Sequence, residues 1–331
     1  MCKTIVVAST AVPGAGGGNT TTYHLPPVRV DAARQLGSRL HLPFTPPVSV
    51  IIAVYNGART LVPCLDSLLA LDYPAEKLEI IAVDNASTDE TAAVLAGYGD
   101  AIRVFREPVR GAGAARNHGL RRASHGIIAF TDADCVVDKD WLRHLVEPLH
   151  DPVVGIVGGK NLAIRPSSRI EAFGERIHDH AAVINQRIPT AITMNWASRR
   201  AVLQEAKGFD ERFLRGQDAD LSFRLFLAGY RLVYAPSAII YHRNERTLWG
   251  LFREGYQHGY WSVRWCKKHA VTLRQLGRGR LSRNSYRALG QYFKTSIRDN
   301  DKLLARCFLF FNIGKKIGKL FGSIHFGYVE L

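Results

Sequence analysis

Apolar runs alternate with amphipathic stretches in the first half of the folded region. The run Val48 to Val54 is β-branched and almost continuously apolar, which predicts a strand buried on both faces of a parallel sheet. A second run of this kind extends from Leu78 to Val83. Leucines at helical spacing lie between the two runs, at Leu61, Leu65, Leu68 and Leu69. The order strand, helix, strand predicts a βαβ unit.

The same alternation continues and predicts a helix from Thr88 to Leu95, a strand from Ile102 to Phe105, a helix from Ala112 to Ala123 and a strand from Ile127 to Thr131. This order predicts an α/β fold with a doubly wound, mainly parallel sheet flanked by helices. Further elements are predicted at Ile156 to Ile164 (strand), Ile170 to Asn185 (helix), Ala191 to Ala197 (strand), Leu221 to Ala228 (helix), and Leu232 to Tyr234 and Ala238 to Tyr241 (short strands).

The chain length and the proline pair Pro46-Pro47 predict three regions in the 331 residues. Residues 1–46, which end at Pro46-Pro47, are predicted to be a poorly ordered leader. Residues 47–245 form the predicted catalytic domain, and residues 246–331 a basic helical extension. The five cysteines are scattered without CxxC spacing, which indicates neither a disulfide framework nor a zinc site. A reducing cytosol fits this usage.

Positive charge is concentrated in the C-terminal part of the chain. From Tyr241 onward 18 Lys and Arg face 5 Asp and Glu, so this part carries +13 of the total +15. Aromatic and basic side chains alternate between Thr247 and His269, which predicts a helix that lies at a membrane interface, packs on the catalytic domain, or does both along different faces. The apolar run Leu303 to Phe311 is far shorter than the ~20 residues that span a bilayer. The lysines after it, Lys315, Lys316 and Lys319, favour contact with anionic lipid headgroups.

Two carboxylates, Asp132 and Asp134, directly follow a predicted buried strand. Such hard oxygen ligands suit Mg²⁺ or Mn²⁺, ions that proteins often share with the phosphates of a nucleotide. A lone Asp-x-Asp can equally well stabilise a turn. Asp84 also follows a strand, and ligands of doubly wound sheets bind outside the carboxyl ends of the strands. Position therefore favours a metal and nucleotide site.

Two further segments have a structural and a functional interpretation. Ser87, with Glu90 three residues later, is predicted to cap the next helix, while Asp84 is predicted to contact a nucleotide. The stretch Gly111 to Arg116 resembles a dinucleotide fingerprint, but it follows the third strand and lacks the last glycine, which excludes a Rossmann dehydrogenase. Arg116 either pairs with a diphosphate or is a surface arginine.

A third pair of carboxylates, Asp218 and Asp220, lies at the entrance of a predicted helix, where helix capping alone would explain them. A transferase needs a general base, for which Asp218 is the first candidate and Asp220 the second. His242 closes a predicted strand and could complete a metal site with Asp134. A lone histidine has no special role in most sequences, so this ligand stays a hypothesis.

Taken together, these segments resemble the family-2 glycosyltransferases of the GT-A fold, from about Val48 to His242. The segments that carry the resemblance are Val48 to Asn56, Val83 to Asp89, Ala115 to Gly119, Thr131 to Asp134, Met194 to Arg200, Gly208 to Phe213, and Asp218 to Leu221 with Arg224. No single segment suffices, whereas the ordered set is specific.

The resemblance implies roles for individual residues. Ala53, Tyr55 and Asp84 would line the nucleotide pocket, and Asp132 would contact ribose or sugar. Asp134 and His242 would hold the divalent cation, and Asp218 would be the base of an inverting reaction. Two positions depart from the family pattern: Ala53 replaces a frequent proline, and Gln217 replaces a glutamate that commonly precedes the base. Trp196 would either stack on an acceptor sugar or belong to the core.

The predicted function is therefore metal-dependent, inverting transfer of a sugar from a nucleotide-diphosphate donor, with UDP favoured, to a hydroxyl of a glycan or lipid-linked acceptor. The cofactor would be Mn²⁺ or Mg²⁺, and the enzyme would lie on the cytosolic face of a membrane as a peripheral protein. A nucleotidyltransferase acting on sugar phosphates is an alternative that shares the sheet and the metal carboxylates. A nucleic-acid-binding protein that uses the basic tail is a third, but no recognised binding motif supports it.

Overall fold

The apolar run that begins at Val48 forms the central strand β1 of one eight-stranded sheet. In this computed structural model the described residues are 44–277 and 302–329, so the predicted leader lies almost wholly outside them. The strands are β1 (Val48–Val54), β2 (Leu78–Asp84), β3 (Arg103–Arg106), β4 (Ile127–Asp132), β5 (Cys135–Val137), β6 (Val154–Ala163), β7 (Asn195–Arg199) and β8 (Arg231–His242).

Helices lie on both faces of this sheet. They are α1 (Leu61–Leu69), α2 (Thr91–Ala96), α3 (Ala112–Arg122), α4 (Trp141–Val146), α5 (Arg169–Ile177), α6 (His180–Ile184), α7 (Arg200–Glu205), α8 (Gln217–Leu227), α9 (Leu248–Lys268), α10 (Ala270–Gln275) and α11 (Lys302–Phe326). Short 3₁₀ turns occur at Ala75–Lys77, Gly99–Ala101 and Glu147–His150. Alternate residues of β1 join different cores: Val50 and Ile52 pack with α1, whereas Ile51 packs with α3.

The strand order is β3-β2-β1-β4-β7-β6-β8-β5. The pairs among β3, β2, β1 and β4 are all parallel, as the alternating pattern predicted. β7 is antiparallel to both of its neighbours, and β5 is antiparallel to β8. The predicted fold class, a doubly wound and mainly parallel α/β sheet, is confirmed.

Several predicted elements differ in their bounds. The helix predicted from Ile170 to Asn185 is two helices, because Asp179 between them accepts a hydrogen bond from Ala182 N at 3.0 Å and starts α6 anew. The two short strands predicted before His242 are one strand, β8, whose register against β6 shifts twice, between Val154 and Ile156 and again after Gly159.

The C-terminal helices pack on the catalytic domain and on each other. Phe173 of α5, Leu251 of α9 and Cys307 of α11 form a third apolar core. α9 and α11 approach closely through glycines that face the partner helix, namely Gly255 and Gly259 on α9 and Gly314, Gly318 and Gly322 on α11. Of the two arrangements predicted for the tail helix, packing on the catalytic domain is confirmed. Among residues 44–277 and 302–329, no helix has the length and apolar character that crossing a bilayer requires.

Gly318→Ala is expected to separate α9 from α11, because a Cβ on Gly318 would lie far inside van der Waals contact with the carbonyl oxygen of Tyr256, which is backbone and cannot move alone. Overpacking of this kind costs roughly 1–3 kcal/mol of the free energy of unfolding, which thermal denaturation should detect. Gly126→Ala is the matched control, since no atom lies within 4 Å of its added Cβ. Equal melting temperatures for the two variants would contradict the close packing.

Candidate functional site

A cleft of 2370 Å³ opens at the carboxyl ends of the parallel strands and continues toward α9 and α11. Strand register brings its first residues together, because Ala53 of β1 pairs with Asp132 of β4. The predicted site residues that line the cleft are Ala53, Tyr55, Arg116, Asp132, Asp134, Asp218 and His242. Side chains up to 189 positions apart in the chain therefore share one cavity.

Asp134 and His242 form the candidate metal pair. β5 and β8 pair with Cys135 opposite His242, which places Asp134 Oδ2 at 3.5 Å from His242 Nε2. His242 Nδ1 lies 2.6 Å from Asn244 Oδ1, and this contact fixes the tautomer that carries its proton on Nδ1. When the ring is neutral, the lone pair of Nε2 then faces Asp134. A carboxylate oxygen and a neutral imidazole fit Mn²⁺, and the carboxylate alone fits Mg²⁺.

Electrostatics couple these two groups. Burial opposes the charged form of each, but their mutual attraction and hydrogen bond outweigh it, so the pKa of Asp134 falls below its usual range and the pKa of His242 rises to about 9. A divalent cation must therefore compete with a proton for His242 Nε2.

Cys135 lies beside this pair, and its sulfur is close enough to count among the possible ligand atoms. Its side chain is fully buried, and burial, followed by the charges of Asp134 and Asp132, raises the pKa of the thiol well above its usual value. A cysteine sulfur is a soft ligand that suits Zn²⁺ better than Mg²⁺ or Mn²⁺, so Cys135 fits the ligand set less well than Asp134 and His242.

Asp218 lies in the first turn of α8, which begins after Gly216 in the left-handed conformation (φ 76°). Its Oδ1 accepts a hydrogen bond from Ala219 N at 2.8 Å, and its Oδ2 accepts a longer one from Thr193 N at 3.4 Å. Burial is the main cause that raises the pKa of this carboxyl group above its usual value. A carboxylate with a raised pKa accepts protons more readily, which is what a general base requires.

Arg116 joins the carboxylates on the floor of the cleft. It is a buried residue on α3, and not the surface arginine that was the alternative; its Nη2 donates to Asp132 Oδ1 at 2.6 Å. Its charge also opposes the rise in the pKa of Asp218, so it lies within electrostatic reach of both acids. Arg116 Nε has no hydrogen-bond partner among the described residues. A buried guanidinium with a spare donor fits an anionic ligand such as a diphosphate.

The loops after β1 and β2 hold the opposite wall of the cleft in place. Asn56 and Ala86 adopt left-handed backbone conformations (φ 49° and 58°), which cost energy for residues other than glycine. Asn56 Oδ1 accepts a hydrogen bond from Thr88 N, and Ser87 Oγ accepts one from Asn56 N. The prediction that Ser87 caps the next helix is therefore wrong, since α2 starts at Thr91.

Asp84 lies away from the main cleft, so its predicted contact with a nucleotide stays a prediction. The side chain is buried, it accepts a hydrogen bond from Ser87 N at 3.0 Å, and it lines a separate cavity of 290 Å³ together with Phe105 and Arg106. The next residue, Asn85, lines the main cleft instead. The carboxylate thus orders the loop after β2.

Two acceptor-side candidates lie in the core. The Asp220 side chain is fully buried, with one oxygen 2.6 Å from Lys268 Nζ and 2.8 Å from His269 Nε2, and the other 2.9 Å from Arg224 Nε. Trp196 is 1% exposed and packs against Phe130 and Phe209. Neither residue lines the cleft. Trp196 thus lies in the core, which was the alternative to sugar stacking, and Asp220 forms ion pairs away from the cleft.

Several other residues line the cleft that no sequence motif identified. Thr193 and Gln217 are buried, line the cleft, and carry side-chain oxygens without a hydrogen-bond partner in the described part of the chain. Arg110 lies over the ring of Tyr55, with the guanidinium carbon 3.8 Å from the ring centroid. Gln217 was identifiable only as a departure from the family pattern, and the stacking of Arg110 depends on a loop that the sequence does not specify.

Comparison with known sequences places this geometry in context. Residues 49–207 match the family model described as glycosyl transferase family 2. The chain is 28% identical over 246 residues to "Glycosyltransferase AglE" of Haloferax volcanii, covering 71% of this chain and 78% of that protein. It is 31% identical over 242 residues to "Poly-beta-1,6-N-acetyl-D-glucosamine synthase" of Staphylococcus aureus, covering 69% of this chain and 56% of that one. The chain thus spans little more than half the length of the second relative.

Solved structures show the same fold. A mannosyltransferase from Pyrobaculum calidifontis in complex with GDP-Man and Mn²⁺ superposes with a TM-score of 0.60 and 23% identity, covering 84% of this chain and 88% of that one. TarS residues 1–349 of S. aureus in complex with UDP-GlcNAc give a TM-score of 0.50 and 17% identity, covering 85% and 92%. At these identities the likeness concerns the GT-A fold alone.

Proposed function

Because this chain belongs to glycosyl transferase family 2, through the domain at residues 49–207, we propose that it transfers a sugar from a nucleotide-diphosphate donor to an acceptor hydroxyl with inversion at the anomeric carbon. The observation that carries the proposal is the convergence of Asp132, Asp134, Asp218 and His242 on one cleft. Together with Arg116, which lines the same cleft, these residues supply the three groups that such a transfer needs: a metal site, an anion-binding arginine and a base.

Each group has a place in the proposed reaction. Ala53, Tyr55, Asn85 and Arg110 form the wall that would hold the nucleotide. Arg116 would bind the diphosphate, and Asp132, held by Arg116, would contact ribose or sugar. Asp134 and His242 would hold Mn²⁺ or Mg²⁺, which supplies positive charge for the leaving diphosphate. Asp218 would take the proton from the acceptor hydroxyl as that oxygen attacks the anomeric carbon.

The activity should be found by screening nucleotide sugars for release of nucleoside diphosphate that depends on a divalent cation. UDP-sugars are the favoured donors, and GDP-sugars belong in the same screen. We expect release with at least one donor and its loss after chelation of the cation. A nucleotidyltransferase would release pyrophosphate from a nucleoside triphosphate, so that product pattern would overturn the proposal.

The proposed acceptor is a glycan or a lipid-linked molecule that the enzyme meets at an anionic cytosolic membrane surface. The support is a stripe on the outer side of α11, where Leu309, Ile313, Leu320 and Ile324 are 38–72% exposed at helical spacing. Trp249 on α9 is also exposed. Apolar side chains beside the lysines of this helix are the composition that binds interfaces.

Membrane association should be measured by sedimentation with vesicles. We expect binding to vesicles that contain an anionic phospholipid, weaker binding to zwitterionic ones, and release by high salt. Ile324→Asp with Leu320→Asp should weaken binding without unfolding the protein, because both side chains are already exposed. Val62→Asp with Val109→Asp, at exposed sites outside the tail, is the control. Equal binding by the two double variants would contradict a role for α11.

A further inference from the structure

The part of the cleft beyond Asp218 is bounded by α5, α9 and α11 and has its own chemistry. At 2370 Å³ the whole cleft far exceeds the ~300–1,000 Å³ of a typical small-molecule site. Four exposed arginines line this part, each on a different segment: Arg176 on α5, Arg215 before α8, Arg243 after β8 and Arg253 on α9. We name these four residues the arginine arc.

The arginine arc has no carboxylate partner among residues 44–277 and 302–329, where every ion pair of a cleft arginine involves Arg116 or Arg246. Three acids line this part of the cleft. Glu245 lies beside Gly250 of α9, and Asp179 accepts a hydrogen bond from Ala182 N at the start of α6. Glu254 Oε1 lies 3.2 Å from His178 Nε2.

Positive charge therefore dominates this space. Burial is the largest cause that lowers the pKa of His258 on α9 to about 4; the carboxylate of Glu254 opposes the fall, and the charges of His178, Lys315 and Arg215 add to it. Lys315 and Arg215 thus act on the same histidine across the cavity. Gathering like charges is unfavourable, and an anion that binds among them would relieve the repulsion.

An apolar band runs beside the arginine arc. Phe308 and Phe311 of α11 line the cleft; the guanidinium carbon of Arg176 lies 5.9 Å from the Phe308 ring, and the His258 and Phe311 rings are 5.7 Å apart. The outer side of the same helix carries the exposed apolar stripe. A ligand with an anionic head and an apolar chain would match both features at once.

We propose that the arginine arc is an acceptor subsite that binds the phosphate or diphosphate group of a lipid-linked acceptor, with the apolar chain lying along Phe308 and Phe311. That the bound lipid is an acceptor rests on the proposed glycosyl transfer. Binding of its phosphate group can be measured without turnover. Guanidinium groups from four segments can donate several hydrogen bonds to phosphate oxygens.

Binding of simple probes by the full chain, without nucleotide sugar, tests this subsite. Dodecyl phosphate below its micelle concentration should bind at least roughly tenfold more tightly than dodecyl glucoside, which lacks the charge. It should also bind more tightly than inorganic phosphate, which lacks the chain. Inorganic phosphate binding as tightly as dodecyl phosphate would assign the subsite to soluble phosphates, and tight dodecyl glucoside binding would overturn the anionic subsite.

The variant Arg215→Gln with Arg253→Gln should weaken dodecyl phosphate binding by roughly tenfold or more, because charge-assisted hydrogen bonds are lost. Binding of dodecyl glucoside should stay within about twofold. Arg59→Gln with Arg274→Gln removes the same charge from exposed sites outside the cleft and should change little. An equal loss in that control would show general attraction and no subsite.

Donor cleavage separates this proposal from the proposed function. Metal-dependent release of nucleoside diphosphate by water should persist in the Arg215→Gln, Arg253→Gln variant, since neither residue is assigned to the donor. If this double variant cleaved the donor normally and also bound dodecyl phosphate as tightly as the unmodified protein, only the proposed subsite would be overturned. Absence of donor cleavage in the unmodified protein would overturn the proposed function, while probe binding would still report on the arginine arc.

Discussion

Asp218→Asn is expected to lower the rate of sugar transfer by roughly 10²–10⁴-fold, the usual contribution of a general base, while donor binding stays within about twofold. The amide keeps the shape of the carboxylate and can still accept the hydrogen bond from Ala219 N. It cannot accept the proton of the acceptor hydroxyl. Initial rates with saturating acceptor, together with calorimetric binding of the donor, would measure the two effects separately.

The pH dependence of the transfer rate is a second test of the role of Asp218. Burial raises the pKa of Asp218, so the fraction in the ionised, basic form falls as pH drops through this raised value. The transfer rate of the unmodified enzyme should therefore decline as the pH is lowered. The residual rate of Asp218→Asn should not show this decline. Asp72→Asn, at an exposed surface pair with Arg143, is the control. Near-normal turnover of Asp218→Asn would refute the assignment.

The helix α8, which carries Asp218, shows what the sequence alone could not predict. Asp218 and Asp220 were the first and second candidates for the base, and both lay before the predicted start of α8 at Leu221, whereas the helix starts at Gln217. Residues two apart in a helix point to nearly opposite sides. Asp218 therefore lines the cleft, while Asp220 points toward Lys268 and His269. Only the helix boundary separates the two, and boundaries depend on tertiary contacts.

The strands were predictable for a physical reason. A strand buried on both faces needs β-branched and apolar residues at nearly every position, and β1, β2 and β4 carry that pattern. Since carboxyl ends of parallel strands share one edge, the position of Asp132 followed from the pattern as well. The loops were not predictable, because the direction of Asp84 depends on its hydrogen bond to Ser87 N and not on any periodicity.

The tail was ambiguous for another reason. An amphipathic basic helix has the same sequence pattern whether its apolar face meets lipid or protein. The glycines of α9 and α11 could have indicated close helix packing, but the sequence does not say which helices meet. In the structure the inner side of α11 faces α9 and the cleft, and the outer side carries the exposed stripe. The inner side of the helix therefore meets protein, and the exposed outer side is the surface for which membrane contact is proposed.

Loss of the candidate metal ligand in Asp134→Ala is expected to lower metal-dependent turnover by at least roughly 10²-fold, because a bound cation contributes several kcal/mol to stabilising a leaving diphosphate. His242→Ala should weaken Mn²⁺ binding, and Asn244→Ala should weaken it by roughly 10–100-fold, since Asn244 only orients the ring of His242. Titration of the purified chain with Mn²⁺, followed by electron paramagnetic resonance, would measure these affinities without substrate.

The pH dependence of Mn²⁺ binding distinguishes this pair from a site of carboxylates alone. Because Asp134 raises the pKa of His242 to about 9, a proton occupies Nε2 below that pH and must leave when the cation binds. The affinity should therefore rise with pH up to about 9 in the unmodified protein, and the slope should flatten in His242→Ala. Cys135→Ala should keep the affinity and the slope, because a soft sulfur ligand suits Mn²⁺ poorly. If Cys135→Ala lost Mn²⁺ binding as fully as Asp134→Ala, the ligand set would have to include the sulfur.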